Sequence, residues 1–96
     1  MPKLPHDLAK AMAASFATDI LPLFRPMDIQ CMRGRGVLLA DYVYMSTQDG
    51  GTFANATMVL SYLKGDSTPQ MPFGGPYWSS ESLDLFQSWI NGGCQP

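Results

Sequence analysis

Charge is the first thing this chain has little of. Asp, Glu, Lys and Arg make up 15% of its 96 residues, where globular proteins usually carry about a quarter. The six basic residues are scattered and the formal net charge is −2. The neighbouring pair Arg33 and Arg35 does not amount to a basic stripe, so the electrostatic footprint on which nucleic-acid binding depends is missing. Histidine is scarcer still: His6 stands alone, and no histidine-built metal cluster can form from it. Two cysteines, Cys31 and Cys94, are too few for a disulfide framework. One bridge between them is geometrically conceivable, while two free thiols are the expectation for a cytosolic protein. Long hydrophobic runs are absent too. The apolar-rich stretch from Leu8 to Ala17 is punctuated by Asp7, Lys10 and Asp19, and nothing reads as a signal peptide or a transmembrane helix. These absences lead to the expectation of a cytoplasmic protein that engages neither membrane nor nucleic acid.

What is present is apolar, at 46% of residues. The length fits one domain, 1–96, with a real but modest core. A surface so poor in charge suits contact with a partner, another copy or a ligand, and equally suits a small protein with few charges. Residues 1–6 contain Pro2 and Pro5 and read as a flexible lead-in. Leu8, Met12 and Phe16 recur every four residues, the mark of an amphipathic helix that Asp7 can cap. A second helix is expected to be capped near Thr18 or Asp19, with Pro22 in its first turn and a break or kink at Pro26. A short helical stretch from Met27 to Met32 follows. Gly34 and Gly36 mark a turn, and Val37 to Met45 reads as a short extended arm or a helical turn. After a polar loop, Thr52 is expected to cap the clearest helix. Its stripe is Ala56, Val59, Leu60 and Leu63, and Gly65 ends it. Asp66 to Pro76 is a Pro- and Gly-rich loop. Ser79 caps the last helix, with Trp78 and Leu83 at the staple positions. Leu83, Phe86 and Ile90 form its apolar face, widened by Leu85 and Trp89, and Gly92-Gly93 stop it. The fold class is all-α, three to five helices with long loops.

Three segments occur in an ordered arrangement: Asp19-Ile20-Leu21-Pro22-Leu23-Phe24, then Met71-Pro72, then Trp89-Ile90-Asn91-Gly92-Gly93. Over roughly residues 16 to 93 this order and spacing resembles small bacterial cytochrome c domains. In those, the first segment leads into a Cys-x-x-Cys-His haem attachment motif, the Met-Pro supplies the distal ligand, and the last segment closes the fold. At the attachment position this chain reads Asp28-Ile29-Gln30-Cys31-Met32. Only Cys31 keeps its type, Asp28 cannot form a thioether, and Met32 stands where the proximal histidine would be. The resemblance therefore implies a cytochrome c-like orthogonal helical scaffold without haem, closed by Phe86, Trp89 and Ile90 packing across Ile20, Leu23 and Phe24. No cofactor and no metal are expected.

A fold that has lost a large cofactor either collapses or keeps a void, so Met32, Tyr42, Met45, Met71 and Phe73 are the expected lining of a partly filled ligand pocket. Tyr42 and Tyr44 would turn to one side of an extended segment and, with Asp41 and Arg33, border a small polar-edged pocket. In the loop Met71 to Trp78, the rings Phe73, Tyr77 and Trp78 sit among Pro72, Gly74, Gly75 and Pro76. They form a candidate interface ridge, since aromatics anchor interfaces. Seven methionines raise the possibility of soft-metal binding such as copper(I), but they are scattered without a Met-x-x-Met run and read as fillers of core gaps. Cys31, with no base near it in sequence, reads as a core residue. No catalytic set emerges. The leading expectation is a haem-free binding module or accessory subunit that holds a larger protein, another copy of itself or an apolar small molecule. The alternative is a small enzyme of specialised metabolism using the same cavity, with tyrosine hydroxyls and Asp28 or Asp41 for acid–base chemistry. A weaker third is electron transfer through non-covalent haem.

Overall fold

The computed structural model describes residues 14–72 and 74–96. The expected helix from Leu8 to Phe16 and its cap Asp7 lie largely outside them, as do His6, the lead-in and Phe73. The described chain opens on a π-helical turn, Phe16–Ile20, that runs into a 3-10 turn, Leu21–Leu23. Four α-helices follow: α1 (Pro26–Arg33), α2 (Tyr42–Ser46), α3 (Ala54–Lys64) and α4 (Ser80–Asn91). Among the described residues no strand forms; a single bridge pairs Asp49 with Thr52.

Local chemistry sets the boundaries, in places one turn away from where the sequence suggested. The first turn is capped by Ser15 and not by Thr18 or Asp19. The Ser15 hydroxyl accepts from the Thr18 amide at 3.3 Å, and the Asp19 carboxylate accepts from the Ser15 amide at 2.9 Å. Asp19 thus serves the cap from inside the helix. The preceding 3-10 segment ends at Leu23, before Pro26, and Pro26 instead begins α1, where its missing N–H removes no hydrogen bond. Thr52 does not cap α3. Its hydroxyl donates to the Asp49 carbonyl at 2.8 Å across the Gly50-Gly51 turn, and Phe53 occupies the cap position without a side-chain bond. Gly65 ends α3 in the left-handed conformation at φ 83°. The left-handed backbone demands glycine there, and a β-carbon would also push aside the Gln70 side chain, which it would meet at 2.9 Å. Ser79 caps α4 by accepting from the Ser82 amide at 3.2 Å.

Helix α4 lies against α3 and the Phe16–Ile20 turn, and α2 lies against α3. Its buried face carries Phe86 and Trp89, which enter a run of six rings. Tyr42 meets Phe16 at 5.7 Å between centroids, and Phe16 meets Trp89 at 5.6 Å. Trp89 meets Phe86 at 5.7 Å, and Phe86 meets Phe24 at 6.2 Å and Trp78 at 6.0 Å. These tilted and edge-on pairings are the favoured aromatic geometries. The closing contact thus joins α4 to the first turns, with Phe16 and Phe24 as the rings that receive it. The C-terminal tail completes this end. The Gln95 carbonyl accepts from the Phe16 amide at 2.9 Å and from the Trp89 indole at 2.8 Å. The Pro96 carbonyl accepts from the Ala17 amide at 3.2 Å, and the Cys94 carbonyl accepts from the Tyr42 hydroxyl at 2.6 Å. First-turn amides that have no intrahelical partner are satisfied by the tail.

Candidate functional site

Away from the aromatic run, α1 and the loop after α3 face one another across a cleft with methionine walls. Met32 is in the last turn of α1, and its carbonyl accepts from the Arg35 and Val37 amides at 3.0 and 2.9 Å, which folds the following turn beneath it. Met71 is placed by its own amide, which donates to the Tyr62 carbonyl at the end of α3 at 3.0 Å. The loop leading to it is tied back by the Asp66 and Ser67 amides on the Ser61 carbonyl and by the Ser61 and Ser67 hydroxyls. Both methionine side chains are buried, and the two residues together separate two cavities.

On one side is a cavity of about 160 Å³ bordered by Met27, Cys31, Met32 and Met71, with Arg25, Asp28 and Pro72 completing it. On the other is a cavity of about 230 Å³ bordered by Met32, Val37, Met58, Val59, Tyr62 and Met71. Exposed methionines rim both: Met27 is 63% exposed and Met58 37%. In the first cavity the acid is already engaged. The Arg25 guanidinium donates to both oxygens of Asp28 at 2.9 Å, and the Arg25 amide donates to one of them at 3.2 Å. These hydrogen bonds hold the Asp28 carboxyl below its ordinary range despite partial burial.

The expected pocket residues do not all converge. Met32 and Met71 meet in this cleft. Met45 is fully buried in the core. Tyr42 points to the far end, where its ring packs on Phe16 and its hydroxyl is committed to Cys94. Tyr42 also borders a separate hollow with Arg33 and Asp41, so that polar-edged trio comes together. Tyr44 does not join it, because residues 42–46 are helical and positions i and i+2 then face different ways. Asp41 caps its own helix, accepting from the Tyr44 amide at 3.2 Å. Of the interface ridge, Trp78 is turned into the aromatic run, 5.2 Å from Phe24, while Tyr77 is exposed. Cys31 is exposed rather than core, and Cys94 is buried; both are free thiols. Burial pushes the Cys94 thiol up to about 11. Met27 and Met58, read in the sequence as fillers of core gaps, are instead exposed at the cavity rims. The i, i+4 spacing of Met27 and Cys31 was the available signal for one of them, while nothing local marks Met58.

A c-type haem does not fit the residues present. At the position that the resemblance gives to the attachment motif only one thiol is available, its counterpart there is a carboxylate tied to Arg25, and the two methionines divide the space into cavities below the usual range for a drug-sized ligand, about 300–1,000 Å³. Among the described residues no group of three or more His, Cys, Asp or Glu is placed to hold a metal ion, and no helix is long and apolar enough to cross a membrane. No family model matches the chain, and no curated protein or solved structure matches it.

Proposed function

We propose that the chain is a haem-free cytochrome c-like binding module whose methionine cleft receives a single apolar group, either a side chain anchored by a partner protein or a small apolar molecule. The observation that carries this reading is the meeting of Asp28, Cys31 and Met32 with Met71-Pro72 around one cavity. Those are the positions that the resemblance assigns to the attachment motif and the distal ligand. The size of the space selects the occupant. A cavity of about 160 Å³ is close to the engineered cavity of about 150 Å³ that admits benzene, and the neighbouring one is only modestly larger. Methionine walls favour the same occupant, since flexible, polarizable thioethers adapt to varied apolar shapes and pack well against rings. The enzymatic alternative has less support: Asp28 is paired with Arg25, Asp41 is spent on a helix cap, and the Tyr42 hydroxyl is bonded to a backbone carbonyl.

The test is an indole titration of protein carrying ¹³C on its methionine methyl groups. Saturable shifts are expected at Met27, Met32 and Met71, with Met45 unmoved. Absence of any shift, with no rise in melting temperature at high indole, overturns the reading. Hemin added to the same protein should keep its free absorption spectrum. A stoichiometric shifted Soret band would replace a binding module by non-covalent haem.

A further inference from the structure

Nine of the 96 residues carry sulfur, yet four of the seven that line the smaller cavity do: Met27, Cys31, Met32 and Met71. We infer that these four form a binding site for a soft monovalent cation, copper(I) being the biological member of that class. This goes beyond the apolar-cleft reading and does not depend on it.

The donor set is what selects the ion. Thioethers and thiolates prefer copper(I), whereas carboxylates, carbonyls and water suit hard cations. The carboxylate in the wall, Asp28, has both oxygens occupied by Arg25. The metal-binding side chains left in the lining are therefore those of sulfur residues, and the guanidinium charge that would repel a cation is already matched. Met27 and Cys31 are one turn apart on α1 and share a face, Met32 adjoins Cys31, and Met71 arrives from the opposite loop. Two of the thioethers, those of Met32 and Met71, are buried, while Met27 and Cys31 are exposed. An ion can thus enter from the Met27 and Cys31 side and finish against dry sulfur. The charge balance also favours a monovalent guest. Copper(I) bound to one thiolate and neutral thioethers is neutral overall, so no net charge is left in an apolar wall. Binding at Cys31 displaces its thiol proton, one per ion, which passes to solvent. No electron is transferred.

The experiment uses the full chain in its reduced form with copper(I) supplied as its bicinchoninate complex in ascorbate. Transfer of one ion per chain is expected, with shifts of the ¹³C-methyl signals of Met27, Met32 and Met71 and none at Met45. Met27→Leu alters an exposed side chain and should leave folding intact. It should lower affinity by at least the roughly tenfold that even an indirect supporting group contributes to a metal site. Cys31→Ser should weaken binding further. Two results overturn the inference: no transfer from the competitor, or transfer abolished by Cys31→Ser while no methionine methyl moves and Met27→Leu binds normally. The second would mean a thiol acting alone. Indole shifts without copper transfer would leave the apolar cleft standing and remove the metal site, so the two readings fail separately.

Discussion

The two ends of this molecule are built from different materials. One end is aromatic: six rings from Tyr42 to Trp78 pack at defined angles, and the tail carbonyls of Cys94, Gln95 and Pro96 take up the available hydrogen-bond donors. The other end is sulfur-rich: Met32 and Met71 are flanked by a cavity on each side and rimmed by exposed Met27 and Met58. Rings with two rotatable bonds and satisfied polar tips specify one arrangement. Unbranched thioethers with three rotatable bonds tolerate many. Stability is thereby concentrated at the closed end, and the adaptable surface is left at the other.

The largest expected effect breaks the closed end. Trp89→Ala should cost about 3–5 kcal/mol, the usual range for a large aromatic removed from a core. It also strips a donor from the Gln95 carbonyl. Thermal or denaturant unfolding will measure it, and a melting temperature equal to wild type would mean that the aromatic run is not the stabilising element. At the open end Met71→Leu keeps the volume and should cost under about 1.5 kcal/mol, while reducing the indole-induced shift at Met32. A loss as large as that of Trp89→Ala would erase the distinction between the ends.

A smaller effect belongs to Asp28. Its carboxyl is held below the ordinary value by Arg25, so the carboxylate contributes stability that is fully present above the unfolded value of about 3.9. That contribution is lost as pH falls through the lower folded value. Asp28→Asn should therefore destabilise the protein at neutral pH by about 0.3–1 kcal/mol, the range of exposed ion pairs and helix-terminal charges. The difference from wild type should vanish in acid, which unfolding curves at several pH values will show. The smallest effect on stability, none, comes from thiol labelling. Iodoacetamide on native protein at pH 8 should modify exposed Cys31 and spare Cys94, whose thiol is buried and raised to about 11. Equal labelling of both would show that the closed end opens readily.

The all-α class, the run of α3 from its apolar stripe to Gly65, the Ser79 cap and the Gly92-Gly93 stop were legible in the chain because each rests on neighbours within a turn or two. Cap assignments failed where two local options competed. Ser15 prevailed over Thr18 because Asp19 could serve it from inside the helix. Thr52 was diverted because the turn at Gly50-Gly51 brought the Asp49 carbonyl within reach. The candidate site was legible only in part. Met32 and Met71 were identified through the resemblance, whereas Tyr42, Met45 and Trp78 went to the core and the aromatic end.

What the sequence by itself determined is the helical pattern and the scarcity of charge, both set by residue type and short-range spacing. Tertiary structure alone decided that the tail closes onto the first turn and that Met27, Cys31, Met32 and Met71 share a cavity. The physical reason is separation along the chain: these groups are brought together by loops whose paths depend on how the helices pack, and no local periodicity records where a loop will return.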